Sequence, residues 1–422
     1  MNKDSEGDSL NSIRTGLAPE ARTRNDFPNM RETNSNLILN LIWRERVISR
    51  ADIARRTGFS RSTVSTIVDH LLRTGLVDES GTGDSSGGRR PILLKFMDDA
   101  RALFGIELDA TFIRVALTNL RGQILASRTL DFPVAKAPRE SFSQMAELIR
   151  ECLKSRRMGL RKVLGIGVAV PCPIDPADPS PRLLPEVFPG WRETDLIAGL
   201  QEHFPVPVFM DNDANLGALA ELFWGAGRDG RSLVFIKAEK GIGAGLIIDG
   251  KIYRGSRGLA GEVGHMVVES GGQRSHLGMT GCLTAHAGAY ALLEQWTERS
   301  GGPSGKLDAE EISLATLNAA AARGDAQALA LLRQAVSYVG ICIANILNIL
   351  NPDTVVLGGS LFQVSDGLLD LIGEAIRTHT LWPSIAFARV ALSDLGPYNI
   401  AVGAATQVLC GLLTPHDTNG PG

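Results

Sequence analysis

From Asn36 onward the chain takes on helical spacing of its apolar residues. In the stretch that begins at Arg61, Val64, Ile67, Val68, Leu71 and Leu72 recur at three- and four-residue steps. That spacing predicts an amphipathic helix with one apolar stripe and a polar opposite face. Before it, Ala51 to Thr57 reads as a short helix that buries Ile53 and Ala54 and stops at Gly58, a residue that accepts the left-handed turn. Ser60 then offers a hydroxyl N-cap to the second helix. After Leu76 and Val77 the run ESGTGDSSGGRRPILLKF reads as a Gly/Ser-rich hairpin tip that returns into an apolar strand. Short helix, glycine turn, second helix and hairpin together predict a winged helix-turn-helix over residues 36–97. The polar, unpatterned residues 1–35 are expected to form a flexible tail.

Beyond Leu103 the pattern changes. Apolar strand-like runs (LFGIELD, IRVALTNL, KVLGIGVAV, VPVFMD, SLVFIKA, AGLIID, DTVVLGG) alternate with helical stretches such as Ala326 to Leu350. This alternation predicts an α/β domain over residues 98–422.

Composition narrows the class. The chain has 422 residues, 44% hydrophobic and 21% charged, which suits two or three compact units rather than a fibre or a disordered chain. No run reaches the ~20 uninterrupted apolar residues of a membrane span, and the start MNKDSEGDSLNS lacks a basic segment followed by an apolar one. Cys152, Cys172, Cys282, Cys342 and Cys410 are widely spaced with no C-x-x-C pair, as reduced thiols in a cytoplasm would be. A cytoplasmic location is therefore expected. Net charge is −3, but residues 36–95 hold ten lysines and arginines against six acidic residues. The basic excess coincides with the winged helix, so a DNA partner is expected.

In such a motif the second helix enters the major groove by its first turns. Arg61, Ser62, Thr63, Ser65 and Thr66 are the exposed candidates there. Arginine can bridge guanine O6 and N7, and hydroxyls can serve bases or phosphates. Arg89 and Arg90 at the wing would suit phosphate or the minor groove.

Three pieces of the large domain carry a family resemblance: Asp211-Asn212-Asp213-Ala214-Asn215, GLAGEVGHM from Gly258 to Met266, and NPDTVVLGGS from Asn351 to Ser360. They resemble the ROK family of repressors, open reading frames and sugar kinases. The likeness spans residues 36–410, winged helix included. It implies a two-lobed sugar-kinase/actin-like ATPase domain of ribonuclease H-like architecture. It also implies that Asp213 stands where ROK kinases keep the general base, that Asn212 hydrogen-bonds the sugar, and that Glu262 and His265 hold sugar hydroxyls. On residue chemistry alone, the Asp-Asn-Asp run reads first as a strand-ending turn with an Asx cap.

The sequence departs from the kinase pattern at two places. The first phosphate loop, D-x-G-G-T-K in the kinases, reads Glu107-Leu108-Asp109-Ala110-Thr111-Phe112, so both glycines and the lysine are gone. A carboxylate ~4 Å from phosphate at an effective dielectric of ~20 opposes it by about 4 kcal/mol per charge pair. The second loop keeps Gly241, Ile242, Gly243 and Gly245 but has Lys240 in place of threonine, so Asp109 and Lys240 are expected to face each other across the nucleotide cleft. The zinc element C-x-C-G-x-x-G-C reads Ser275 to Cys282 and keeps only Cys282; His265, His276 and Cys282 would be a reduced ligand set. Thr284 stands where sugar-binding members have a glutamate. Neither zinc nor ATP is expected as a cofactor.

The resemblance thus implies a DNA-binding repressor of carbohydrate-metabolism genes, without catalytic activity, controlled by a sugar or sugar derivative. As a homodimer or homotetramer it would read a pseudo-palindromic operator. Two alternatives stay open: an ATP-dependent sugar kinase that also binds DNA, and a DNA-binding regulator whose ligand pocket is vestigial.

Overall fold

The computed structural model describes residues 30–82, 90–178, 181–299, 313–363, 367–380 and 388–413. Its first helix, α1 (Met30–Glu45), takes up the last six residues of the expected tail, 30–35, which corrects that boundary; residues 1–29 lie outside the described ones. A three-residue strand the pattern did not predict, β1 (Val47–Ser49), leads into α2 (Arg50–Thr57) and α3 (Arg61–Thr74).

The local reasons are those the residue types suggest. Ser49 accepts a hydrogen bond from Asp52 N and caps α2, while Gly58 ends it at φ 71°. Ser60 accepts from Thr63 N to cap α3, and Gly75 ends that helix at φ 74°. Val64, Val68 and Leu71 are buried with Ile53; Ile67, Leu72 and, contrary to expectation, Ala54 are only partly buried. The hairpin is β2 (Val77–Thr82) against β3 (Ile92–Phe96), in a sheet of order β1-β3-β2, and its tip, residues 83–89, lies outside the described residues.

The α/β part is two lobes of matching plan. Lobe I orders its sheet β6-β5-β4-β7-β8 and lobe II β11-β10-β9-β12-β13, so both follow the order 3-2-1-4-5. Lobe I comprises β4 (Ala102–Leu108), β5 (Phe112–Asn119), β6 (Ile124–Asp131), α4 (Pro138–Ser155), β7 (Val163–Val170), α5 (Leu196–His203) and β8 (Val208–Asn212), followed by α6 (Asp213–Phe223). Lobe II comprises β9 (Leu233–Ala238), β10 (Ile242–Ile248), β11 (Lys251–Ile252), α7 (Leu283–Ala287), α8 (Ala289–Arg299), α9 (Ala315–Ala322), α10 (Ala326–Leu350), β12 (Thr354–Gly358), α11 (Leu368–His379) and β13 (Arg389–Leu392), followed by α12 (Asn399–Leu413). In each sheet the first three strands form an antiparallel meander and the last two join in parallel. The central strands are buried on both faces and read as continuous apolar runs. The long α10 is apolar because its inward side, from Ala328 to Leu347, is part of the lobe II core.

Each lobe lends its last helix to the other. Helix α6 leaves lobe I and packs on β9 and β10 of lobe II, whereas α12 leaves lobe II and packs on β4 and β7 of lobe I. The two helices also pack on each other. Glycine makes these approaches possible, because a Cβ on Gly105 would sit 1.7 Å from the Ala401 carbonyl oxygen and one on Gly245 2.1 Å from that of Ala214.

Candidate functional site

Two regions bring together the residues singled out above. On the winged helix, Arg61, Ser62 and Thr66 are exposed at the start of α3, and Arg90 is exposed just before β3. Thr63 and Ser65 are not: both are half-buried, which corrects their assignment to the exposed edge. The reason is local, since Ser60 Oγ hydrogen-bonds the hydroxyls of both Ser62 and Thr63 at 2.8 Å, and the first turn folds back onto its own cap. Thr66 spends its hydroxyl proton on Ser62 O at 3.0 Å. Arg61, Ser62 and Thr66 thus make up the exposed part of this edge, and Arg89 lies outside the described residues.

The second region is the cleft between the lobes. Asn212 ends β8 and caps α6, accepting from Ala214 N at 3.0 Å and Asn215 N at 3.2 Å and donating to Cys172 O at 3.2 Å. The Asx-cap reading and the family reading therefore describe the same residue. Asp211 behind it is paired with Arg254, whose Nε and Nη2 donate to Oδ2 at 3.1 and 2.6 Å.

Asp213 carries the decisive contact. Its carboxylate receives the ammonium of Lys237 from β9, with both groups buried. Lys237 went unnoticed in the sequence, although a lysine inside the apolar run SLVFIKA is itself a signal that a buried partner exists. Beside it lie Glu107, which accepts from Arg114 at 3.2 Å, and Asp109. Asp109 Oδ1 holds the β4–β5 turn by accepting from Thr111 N and Oγ1, and receives Lys240 Nζ at 2.9 Å; Lys240 also donates to the Thr111 hydroxyl. Asp109 and Lys240 thus meet across the cleft as expected.

Three acidic groups and three cations thus face one another here. The repulsion expected from Asp109 alone is offset by Lys240. Burial drives the Asp109 carboxyl up, yet Lys240 and Lys237 outweigh it and hold it below the usual range. Burial of Lys237 is likewise outweighed, by Asp213, Glu107 and Asp109, so its ammonium is held above the ordinary lysine range.

Glu107 goes the other way: burial, with Asp213 and Asp109 adding, pushes it up to about 7 against the pull of Lys237 and Arg114. The folded state therefore holds this proton more tightly than the unfolded chain, for which the ordinary value is 4.5. Stability from this group is fully present below that pH and is lost as pH rises through about 7. At 1.4 kcal/mol per unit the loss is on the order of 3 kcal/mol. Glu107→Gln is expected to flatten the fall in urea-unfolding stability between pH 5 and pH 8; parallel profiles for variant and wild type would contradict it.

On the lobe II side, Glu262 and His265 flank a single helical turn, with His265 Nε2 3.8 Å from Glu262 Oε2. Burial raises the Glu262 carboxyl, Asp213 adds to this and His265 opposes it, so the three groups share one field. His265 Nδ1 is buried without a hydrogen-bond partner among the described residues. Thr284 donates its hydroxyl to Gly264 O at 2.9 Å and so braces the turn from behind.

The residues present do not fit the family's zinc ion. Cys282 is buried at the N-terminus of α7, Leu277 is 58% exposed and has no donor atom, and the 274–280 hairpin is closed by hydrogen bonds between Ser275 and Met279. His276 packs against Tyr290. Lys240, the cation beside the first phosphate loop, is held by Asp109 and Thr111.

With the geometry in place, comparison with known proteins decides the family. Residues 103–409 match the ROK family model, and residues 36–90 match that of the MarR family. The chain belongs to the ROK family. The xylose repressor of Bacillus subtilis (strain 168) is 33% identical over 381 residues, covering 90% of this chain and 96% of that protein. The DNA-binding transcriptional dual regulator NagC of Escherichia coli (strain K12) is 28% identical over 395 residues, covering 92% and 96%. Among solved structures, a ROK family transcriptional regulator described as a homologue of the E. coli MLC protein superposes with a TM-score of 0.75 at 26% identity, covering 91% of this chain and 98% of that one. This chain therefore has a MarR-type winged helix ahead of a sugar-kinase-like ROK domain, in a single run that matches regulators along nearly their whole length.

Proposed function

We propose that the protein is a DNA-binding repressor of carbohydrate-metabolism genes, whose ROK domain holds a sugar or sugar derivative at Asn212, Asp213, Glu262 and His265 without phosphorylating it. The observation that carries the non-catalytic part is the ion pair between Lys237 and Asp213. A carboxylate already paired with a buried ammonium is a poor acceptor for a sugar hydroxyl proton, because taking that proton would break the pair and leave the ammonium buried and uncompensated. No ATP and no zinc enter this reading. The discriminating measurement is ADP release with ATP and a panel of aldoses: sugar-dependent release that disappears in Asp213→Asn would make the protein a kinase and overturn the proposal.

Output through DNA rests on Arg61 at the leading edge of α3, with Ser62, Thr66 and Arg90 as supporting contacts and a homodimer reading a pseudo-palindromic operator. Arg61→Ala is expected to weaken operator binding about 10- to 100-fold, the cost of one bidentate base contact. Equal loss on operator and on random DNA, read by fluorescence anisotropy at fixed salt, would instead make Arg61 a phosphate contact.

A second reading, a vestigial pocket, is favoured by one observation: Asn212 and Thr284 already spend their polar atoms within the protein. A thermal-shift panel separates the two. A specific sugar at 100 times its Kd adds about 2.7 kcal/mol, whereas a vestigial pocket gives no shift with any sugar.

A further inference from the structure

We infer that helix α6 is the mechanical link through which the interlobe site acts on the winged helix. Its first turn carries Asn212 as cap and Asp213, and its last residue, Phe223, is followed by Trp224. Eleven residues make a rod of about 16 Å. At the far end Trp43 of α1 packs against both Phe223 and Trp224, each at 6.1 Å between ring centroids.

The contact at that end is polar as well as aromatic. Trp43 Nε1 donates to Leu120 O at 3.1 Å, and Arg121 stacks 4.5 Å from the Trp43 ring while its Nη2 donates to Trp43 O at 2.6 Å. The same arginine binds Asp98 just after the wing strand, so one side chain joins α1, the end of the winged helix and the β5–β6 turn. A Cβ on Gly122 in that turn would lie 2.5 Å from the Trp224 ring, so the seat of Trp224 has no spare room. Helix α12 ends at the same place, where Asn40 of α1 donates to Leu413 O at 3.0 Å.

Between its ends α6 is wholly buried and its backbone lies directly on its neighbours. Gly217 faces Phe235, Gly245 admits the Ala214 carbonyl, and Gly403 of α12 admits that of Leu216. A helix so confined cannot bend or slide by part of a residue; a shift at its first turn has to appear at its last. The apolar residues of α1, α3, the C-terminal half of α6 and α12 form one continuous cluster, which gives that shift a packed path into the DNA-binding domain.

This inference rests on the cleft being the ligand site, but its test needs no ligand. Asp213→Asn and, separately, Lys237→Met change the charge pair at the first turn of the full-length protein. Operator affinity is expected to shift at least about five-fold, the lower bound of ordinary allosteric coupling. Hydrogen exchange should change in residues 36–45 and 119–123 by more than in α4, which serves as the internal reference for global stability. In a Phe223→Leu background the effect of Asp213→Asn on operator affinity should shrink to less than two-fold, the mark of coupling in a double-mutant cycle. The link is overturned if exchange changes only around 208–215, if α1 and α4 change equally, or if Phe223→Leu leaves the shift intact. Failure of the sensor reading is detected independently, by titration with D-xylose and N-acetylglucosamine.

Discussion

Gly403→Ala is expected to destabilise the protein by about 3 kcal/mol or more, the upper end for inserting a methyl into a packed core. The added Cβ would lie 1.8 Å from the Leu216 carbonyl oxygen and 2.5 Å from its carbon. Both are backbone atoms in the middle of α6, so no side-chain rotation relieves the clash. The two crossing helices must part, and with them the lobes that each helix joins. Gly411→Ala, eight residues further along the same helix, is the matched control. There the nearest atom is the Phe209 ring at 3.7 Å, so alanine fits and should stabilise by up to about 1 kcal/mol through helix propensity. Urea unfolding of the pair separates steric crowding from propensity; equal midpoints would refute the close α6–α12 contact.

Lys237→Ala should cost about 3–5 kcal/mol, because removing one partner of a buried ion pair leaves the other charge uncompensated. Here Asp213, Glu107 and Asp109 all lose a cation at once, and each is at most 9% exposed. The companion variant Lys237→Ala/Asp213→Asn removes one of the stranded charges and should recover a large part of the loss. If the double variant is no more stable than the single one, the ammonium contributes through packing of its stem rather than through charge. The same pair of proteins tests function: any sugar-dependent ADP release gained in Lys237→Ala should be lost again in Lys237→Ala/Asp213→Asn, because the ion pair is what withholds the Asp213 carboxylate from a proton.

The cleft also shows how single residues read in isolation give an incomplete account. Asp109 looks hostile to any phosphate, and in the sequence its charge is the argument against ATP. In the structure that charge is already met by Lys240 and Thr111, so its effect cannot be read from Asp109 alone. Glu107 and Lys237 gave a weaker hint, each a charged residue inside an apolar strand run, and only the pairing of the two sheets across the cleft explains why they are tolerated. Edge strands β1, β6, β11 and β13 left little apolar signal because they are short or half-exposed.

What the amino-acid sequence determined unaided is what depends on near neighbours: the stripe of α3, the Ser60 and Gly58 caps, the buried strands, the Asx cap at Asn212 and the 25-residue α10. Periodicity and capping act within a few residues, so they are written where they operate. Only the tertiary structure decided that Lys237 neutralises Asp213, that Arg121 clasps Trp43, and that α6 runs from the cleft to the winged helix. Those contacts join residues 24 to more than 170 positions apart, brought together by sheet order and by glycines that let backbones touch. No local pattern records a pairing of that range; packing of the whole chain creates it.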